Sequence, residues 1–196
     1  FATRRLLARE NAALSERLAL YEESMARFRA LEDENEALRA IAQLAETEGD
    51  GLAARVLSSL GSSPYGTFVI GAGERDGVAE GSLVLTPGGF LLGTVSDADS
   101  HTASVRALFS PGSLVDLVAG NIAFSAEGRG SGNARAEIPR DAKVAVGYVV
   151  SAPAYFGRPA GLIGTIESAS SSATQTLFLR LPLNLDTLRF VYVTPI

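Results

Sequence analysis

Over 196 residues the chain carries 17 basic and 22 acidic side chains, a net charge of −5, with no Cys and a single His, His101. These counts exclude a disulfide framework, thiolate and multi-histidine metal sites, a cysteine nucleophile and the basic footprint of a nucleic-acid binder. No apolar stretch reaches the roughly 18 residues of a membrane span, although the chain starts at Phe1 and reads as a fragment that an anchor could precede.

The charge is unevenly spread. Residues 1–48 hold 7 basic and 10 acidic groups, whereas residues 49–196 hold 10 and 12. Such a break in composition marks a domain boundary. In the charged front, seam-compatible residues fall at Leu7, Asn11, Leu14, Leu18, Tyr21, Met25 and Phe28, then at Leu31, Asn35, Leu38, Ala42 and Ala45. The spacings alternate between four and three, the heptad pattern of a coiled coil. Leu7, Leu14, Tyr21, Leu31 and Leu38 take d positions; Asn11, Leu18, Met25 and Asn35 take a. Two successive spacings of three at Met25–Phe28–Leu31 form a stammer, which overwinds the supercoil locally. Arg17 and Glu34 at g precede Glu22 and Arg39 at e by five residues, the spacing of cross-strand pairs in a parallel dimer. Asparagine at a costs stability but sets register and favours two strands. Gly49 and Gly51 stop the helix, leaving a parallel stalk about 55–60 Å long over 1–48. A helix packed on its own domain would carry a broader apolar stripe.

After Gly51 the period changes. Short runs rich in Val, Leu, Ile, Phe and Thr alternate with Gly, Pro, Ser and Asp, as in a sandwich or barrel. Twelve strands are predicted: residues 53–60, 66–71, 82–86, 90–96, 102–109, 114–118, 122–126, 134–138, 148–151, 162–168, 176–181 and 188–193. No helix follows the first, so parallel βαβ folds are excluded. An internal repeat is visible: Val78-Ala-Glu-Gly81-Ser-Leu-Val84 resembles Val144-Ala-Val-Gly147-Tyr-Val-Val150, and Leu91-Leu-Gly93-Thr-Val95 resembles Leu162-Ile-Gly164-Thr-Ile166. The expected fold is mainly β with an N-terminal long helix: a coiled-coil stalk followed by two small six-stranded β-barrels. The first barrel spans 52–110 and is completed by 186–196; the second spans 111–185.

No catalytic constellation emerges. His101 sits in the polar loop Ser96-Asp97-Ala98-Asp99-Ser100, and neighbours on one loop do not make a triad. Asp97 and Asp99 lack any calcium-loop spacing. Gly128-Arg-Gly130-Ser-Gly132 lacks the Lys and the following helix of a phosphate loop and reads as a hairpin tip. Tyr155, Phe156 and Arg158 lie in a Pro- and Gly-rich connection. Two aromatics and an arginine there form either a partner hot spot or a plug for the barrel end, the plug being the reading preferred on composition.

The chain resembles the MreC family of bacterial cell-shape-determining proteins. The resemblance is carried by Glu34-Asn35-Glu36-Ala37-Leu38-Arg39, Ala54-Arg55-Val56, Ser63-Pro64-Tyr65-Gly66-Thr67-Phe68-Val69-Ile70, and Gly73 through Asp76-Gly77-Val78. It continues through Gly81, Val84, Gly93-Thr94-Val95, Gly132-Asn133, Ile138-Pro139-Arg140, Gly147-Tyr148-Val149-Val150, Gly161-Leu162-Ile163-Gly164 and Leu181-Pro182, with Leu188, Val191 and Val193. Where the family usually has Asp and Thr-Ser-Gly after the glycine at 147, Tyr148 and Ser151-Ala152-Pro153 stand here.

The resemblance implies a non-enzymatic, extracytoplasmic scaffold of the peptidoglycan elongation complex, held by an N-terminal membrane helix upstream of this segment. It implies a homodimer, or a filament, that meets the elongation penicillin-binding transpeptidase, MreD, RodA, RodZ and MreB. The alternative reading is a periplasmic adaptor of an envelope transport system, and adaptors place a helical hairpin between β segments. Changing Asn11 or Asn35 to Leu is expected to raise coil stability while loosening register or oligomer number. Unchanged melting and unchanged stoichiometry in analytical ultracentrifugation would count against this seam.

Overall fold

The computed structural model describes residues 2–58, 63–168 and 172–194, and only the backbone for residues 2–9. Helix α1 (Ala2–Glu48) comes first. Ala, Leu, Glu and Arg dominate it, with no Gly or Pro inside, so intrinsic propensity favours it throughout. It ends at Gly49, whose φ is +83 and whose N–H donates to the Ala45 carbonyl at 3.0 Å. By its contacts the chain divides between Arg39 and Ala40. Residues 2–39 are helix alone, and the last turns of α1 belong with the β-rich body.

Twelve strands follow: β1 (Leu52–Arg55), β2 (Thr67–Ile70), β3 (Leu83–Leu85), β4 (Leu91–Ala98), β5 (Ala103–Ala107), β6 (Leu114–Ala119), β7 (Ile122–Gly130), β8 (Asn133–Pro139), β9 (Val149–Ala152), β10 (Arg158–Glu167), β11 (Thr174–Arg180) and β12 (Phe190–Thr194). Each segment predicted as a strand overlaps one of them, with boundaries that differ by four residues or more at some ends; residues 59–60 of the first lie outside the described residues.

The second set of strands closes into a barrel in the order β10-β11-β8-β7-β6-β9. Alternation along β11 shows why: Gln175, Leu177 and Leu179 point inward while Thr176, Phe178 and Arg180 point outward. Ala126, Ala134 and Ala136 line the interior with Leu117, Ile138, Val150 and Ile163, and small residues opposite large ones suit a narrow bore. The β6–β9 seam is short, pairing only Val118 with Ser151. Pro153, just after β9, has no N–H to extend that ladder.

The first set was expected to close as well. It forms instead a six-stranded sheet in the order β1-β12-β3-β4-β5-β2, a half-barrel whose edges meet at one bridge, Val56–Ile70. The Ser58 hydroxyl oxygen accepts the Val69 N–H at 2.8 Å, so a side chain takes the donor that a longer ladder would use. Phe68, Ile70, Val84, Leu92, Val95, Val105, Val191 and Val193 fill its concave face.

The repeat is real as a meander, β3-β4-β5 matching β9-β10-β11, but its register differs from the sequence alignment. Val84 pairs with Gly93 and Val150 pairs with Gly161, so the structural counterpart of Gly93 is Gly161, not Gly164. A Cβ at Gly93 would fall 2.1 Å from the Arg106 carbonyl oxygen, and one at Gly161 2.9 Å from the Arg180 carbonyl oxygen. Gly164 instead marks a bulge, where the register slips between Ile163 and Thr165; its nearest neighbour is the flexible Arg180 side chain at 3.3 Å.

The end of α1 is fastened to both sheets. Ile41 is buried and Leu44 lies over Gly89 in the β3–β4 turn. The buried Tyr192 of β12 donates its hydroxyl to the Gly49 carbonyl at 2.8 Å. Any side chain at Gly51 would enter the Tyr192 ring. Glu48 forms an ion pair with Arg158 of β10, mostly sheltered from solvent. That hydrogen bond holds the Glu48 carboxyl below the usual carboxylate range, against the opposing effect of burial. It raises Arg158 in turn, while burial and the Glu48 and Asp50 charges push the Tyr192 phenol up.

Gly93→Ala is expected to destabilise the body most, by roughly 1–3 kcal/mol from overpacking. Gly161→Ala should follow, and Gly164→Ala should cost least, within about 0.5 kcal/mol. Thermal melts that rank Gly164→Ala beside Gly93→Ala would overturn the register match. Because the folded Glu48 pKa is depressed, its pair stabilises the protein above about pH 4.5 and loses that contribution as pH falls through the folded value. Urea unfolding of Glu48→Gln should therefore lie below the wild type at pH 7 and converge with it at pH 3. An equal gap at both pH values would assign the stabilisation to another source.

Candidate functional site

Among the described residues, no group of three or more His, Asp and Glu side chains is placed to hold a metal ion. His101 contacts the Arg75 guanidinium at 3.3 Å, and its loop is used structurally. The Asp99 carbonyl accepts from Glu74 N–H at 2.9 Å, and Asp76 accepts from Gly73 N–H at 3.0 Å, so these polar residues hold one 3₁₀ turn at Glu74–Asp76. The glycine-rich segment at Gly128–Gly132 is the β7–β8 hairpin tip, with positive φ at Gly130, Ser131 and Gly132. A strand follows it, not the helix that a phosphate loop requires.

On α1 the predicted seam residues Leu14, Leu18, Tyr21, Met25, Phe28, Leu31 and Leu38 are all exposed, from 43% at Leu38 to 70% at Tyr21. Asn11 and Asn35 lie in the same row and are exposed too. The side chain of Leu7 lies outside the described residues. A row of seven large apolar side chains in water is unusual for a monomer, because each forgoes about 1.5–3 kcal/mol of burial.

Tyr155, Phe156 and Arg158 are close in sequence but differ in exposure and in partners. The chain leaves β9 through a 3₁₀ turn at Pro153–Tyr155, reverses at Phe156 and Gly157 with φ of +58 and +69, and enters β10 at Arg158. Gly157 N–H donates to the Ala152 carbonyl at 3.1 Å and closes the loop. Phe156 is therefore thrown outward, 88% exposed, and does not plug the barrel end. Tyr155 is half-buried, and Arg158 turns to Glu48. Glu48, Asp50, Leu83, Phe156, Arg158 and Thr194 border an open cleft of about 310 Å³.

The sequence did not single out Glu48 or Tyr192 as residues of this junction. Glu48 looks like one more charge on the helix, and Tyr192 like one more strand aromatic. The only signal was Gly51 close behind Gly49, read there merely as a helix stop.

The family model for the barrel core of the rod shape-determining protein MreC matches residues 56–195. A search of curated proteins by sequence finds no match. Among solved structures, an MreC chain superposes with a TM-score of 0.71 at 20% identity, over 84% of this chain and 99% of the other. MreC from Pseudomonas aeruginosa gives 0.63 at 19% identity, over 74% and 99%. MreC of Listeria monocytogenes gives 0.57 at 24% identity, over 94% of both chains. These likenesses show the same fold, and the family match covers well over half of the sequence; the chain belongs to the MreC family of rod shape-determining proteins.

Proposed function

We propose that this chain is a non-enzymatic scaffold in cell-wall elongation, working as a parallel homodimer on the extracytoplasmic face of the membrane. The observation that carries the reading is the exposed row from Leu14 to Leu38. Its alternating spacing fits a second identical helix, and Asn11 and Asn35 are a-position residues of the kind that select two strands. Family membership supports the role in cell shape. One solved relative is described as the major periplasmic domain of a cell shape-determining filament, which supports the location and leaves room for assembly beyond the dimer.

Mechanistically, pairing of the helices would join two β bodies in one particle. Their exposed loops and the half-barrel edges at β1 and β2 would dock the elongation transpeptidase, with MreD, RodA, RodZ and MreB in the same complex. Anchoring would come from an apolar helix ahead of Phe1. For the transport-adaptor alternative, the helix precedes every described strand, and among the described residues no helical hairpin interrupts the β segments.

The Leu18→Lys, Leu31→Lys double variant should sediment as a monomer while the body keeps its β signal and melting temperature. It should also bind the purified elongation transpeptidase more weakly than the dimer does, through lost avidity. A variant that stays dimeric overturns the seam, and a wild-type chain with no saturable transpeptidase binding overturns the docking role.

A further inference from the structure

The Pro153–Gly157 loop presents an aromatic that the chain's own body leaves uncovered. Phe156 is 88% exposed and holds φ +58, a left-handed conformation that bulky side chains avoid. Pro153, Gly157 and the 3.1 Å bond from Gly157 N–H to the Ala152 carbonyl keep it there. Two residues on, Arg158 is bonded to Glu48, so the loop is pinned beside the last turn of α1.

The heptad register then says what lies alongside. With Ala42 at a and Ala45 at d, Glu48, the last residue of α1, falls at g, the position that borders the seam. Ala42 and Ala45 are small, so a parallel partner helix could approach closely along this last part of α1. Leu114 and Tyr65 are comparably exposed, but neither lies on a loop that a side-chain hydrogen bond among the described residues ties to α1.

We infer that the Pro153–Gly157 loop is part of the dimer interface, with Phe156 packing across the two-fold axis against the helix end of a second copy of this chain. The inference rests on the parallel-dimer reading above. Because a two-fold interface is isologous, the contact occurs twice, and each Phe156 covers the other copy's helix terminus. The cleft between Phe156, Leu83 and Asp50 provides room for that approach. The dimer would thus be built from two parts: a long seam that brings the chains together, and a pair of aromatic anchors that fix the bodies at its base.

The absence of Cys makes the test direct, since Phe156→Cys introduces a unique thiol into the full chain. A short bismaleimide should join Phe156→Cys chains into covalent dimers far more efficiently than Asp141→Cys, an exposed control on the turn after β8. Phe156→Ser should weaken dimerisation about tenfold or more, as loss of an interface aromatic does, with the melting temperature of the body unchanged. A dimer by sedimentation that cross-links no better than the control, or whose affinity Phe156→Ser leaves unaltered, overturns this inference and leaves the seam standing. A wild-type chain that is monomeric throughout overturns the dimer reading and this contact together.

Discussion

The structure depends on how the end of a charged helix is fastened to two weakly charged sheets. Tyr192 carries most of that task. Its ring fills the space that any side chain at Gly51 would need, and its hydroxyl satisfies the Gly49 carbonyl at 2.8 Å, just past the helix C-terminus. The Gly49 carbonyl lies beyond the hydrogen-bond ladder of the helix, and this phenol supplies its donor. Because Tyr192 belongs to β12, which pairs with both β1 and β3, the bond ties the helix to the middle of the half-barrel and not to an edge. Glu48 and Arg158 then extend the attachment to the closed barrel. The last helical turns are consequently part of the body, and the boundary by contacts falls at Arg39 and Ala40 instead of at the glycines.

That fastening gives the exposed seam its meaning. An apolar row on a freely hinged helix could pair two chains without ordering anything beyond itself. The helix end itself, residues 40–48, is held to the β body by Ile41, Tyr192 and Arg158. The Glu48–Arg158 pair also places the Pro153–Gly157 loop beside the last turn of α1. The same ion pair therefore serves attachment within one chain and, on the proposed reading, alignment between two.

The two β units show how one meander can end in different architectures. Both centre on a long bulged strand, β4 or β10, with a glycine at the point where a neighbouring carbonyl comes too close for a Cβ. In the second unit β6 to β11 close on themselves, through the single pair Val118 and Ser151. In the first, β1 and β2 are four residues each, and the Ser58 hydroxyl captures the Val69 N–H where a further rung would form. The ends of the half-barrel meet through two backbone hydrogen bonds, Leu57 N–H to the Val69 carbonyl and Gly71 N–H to the Arg55 carbonyl, each at 2.8 Å.

The sequence by itself determined the long helix, the apolar row along it, and the existence and order of the β segments. Those features follow from local periods of 3.5 and 2 and from glycine and proline punctuation, which act over a few residues. It also carried the family resemblance that the match over residues 56–195 establishes. Only the tertiary structure decided that the first β unit stays open, that Gly93 corresponds to Gly161, and that Phe156 faces solvent. Each of these turns on an approach between residues far apart in the chain: Ser58 with Val69, Gly93 with Arg106, Arg158 with Glu48. Periodicity does not encode such pairings. Glu48 and Tyr192 were invisible for the same reason, since their importance lies in partners 110 and 143 residues away.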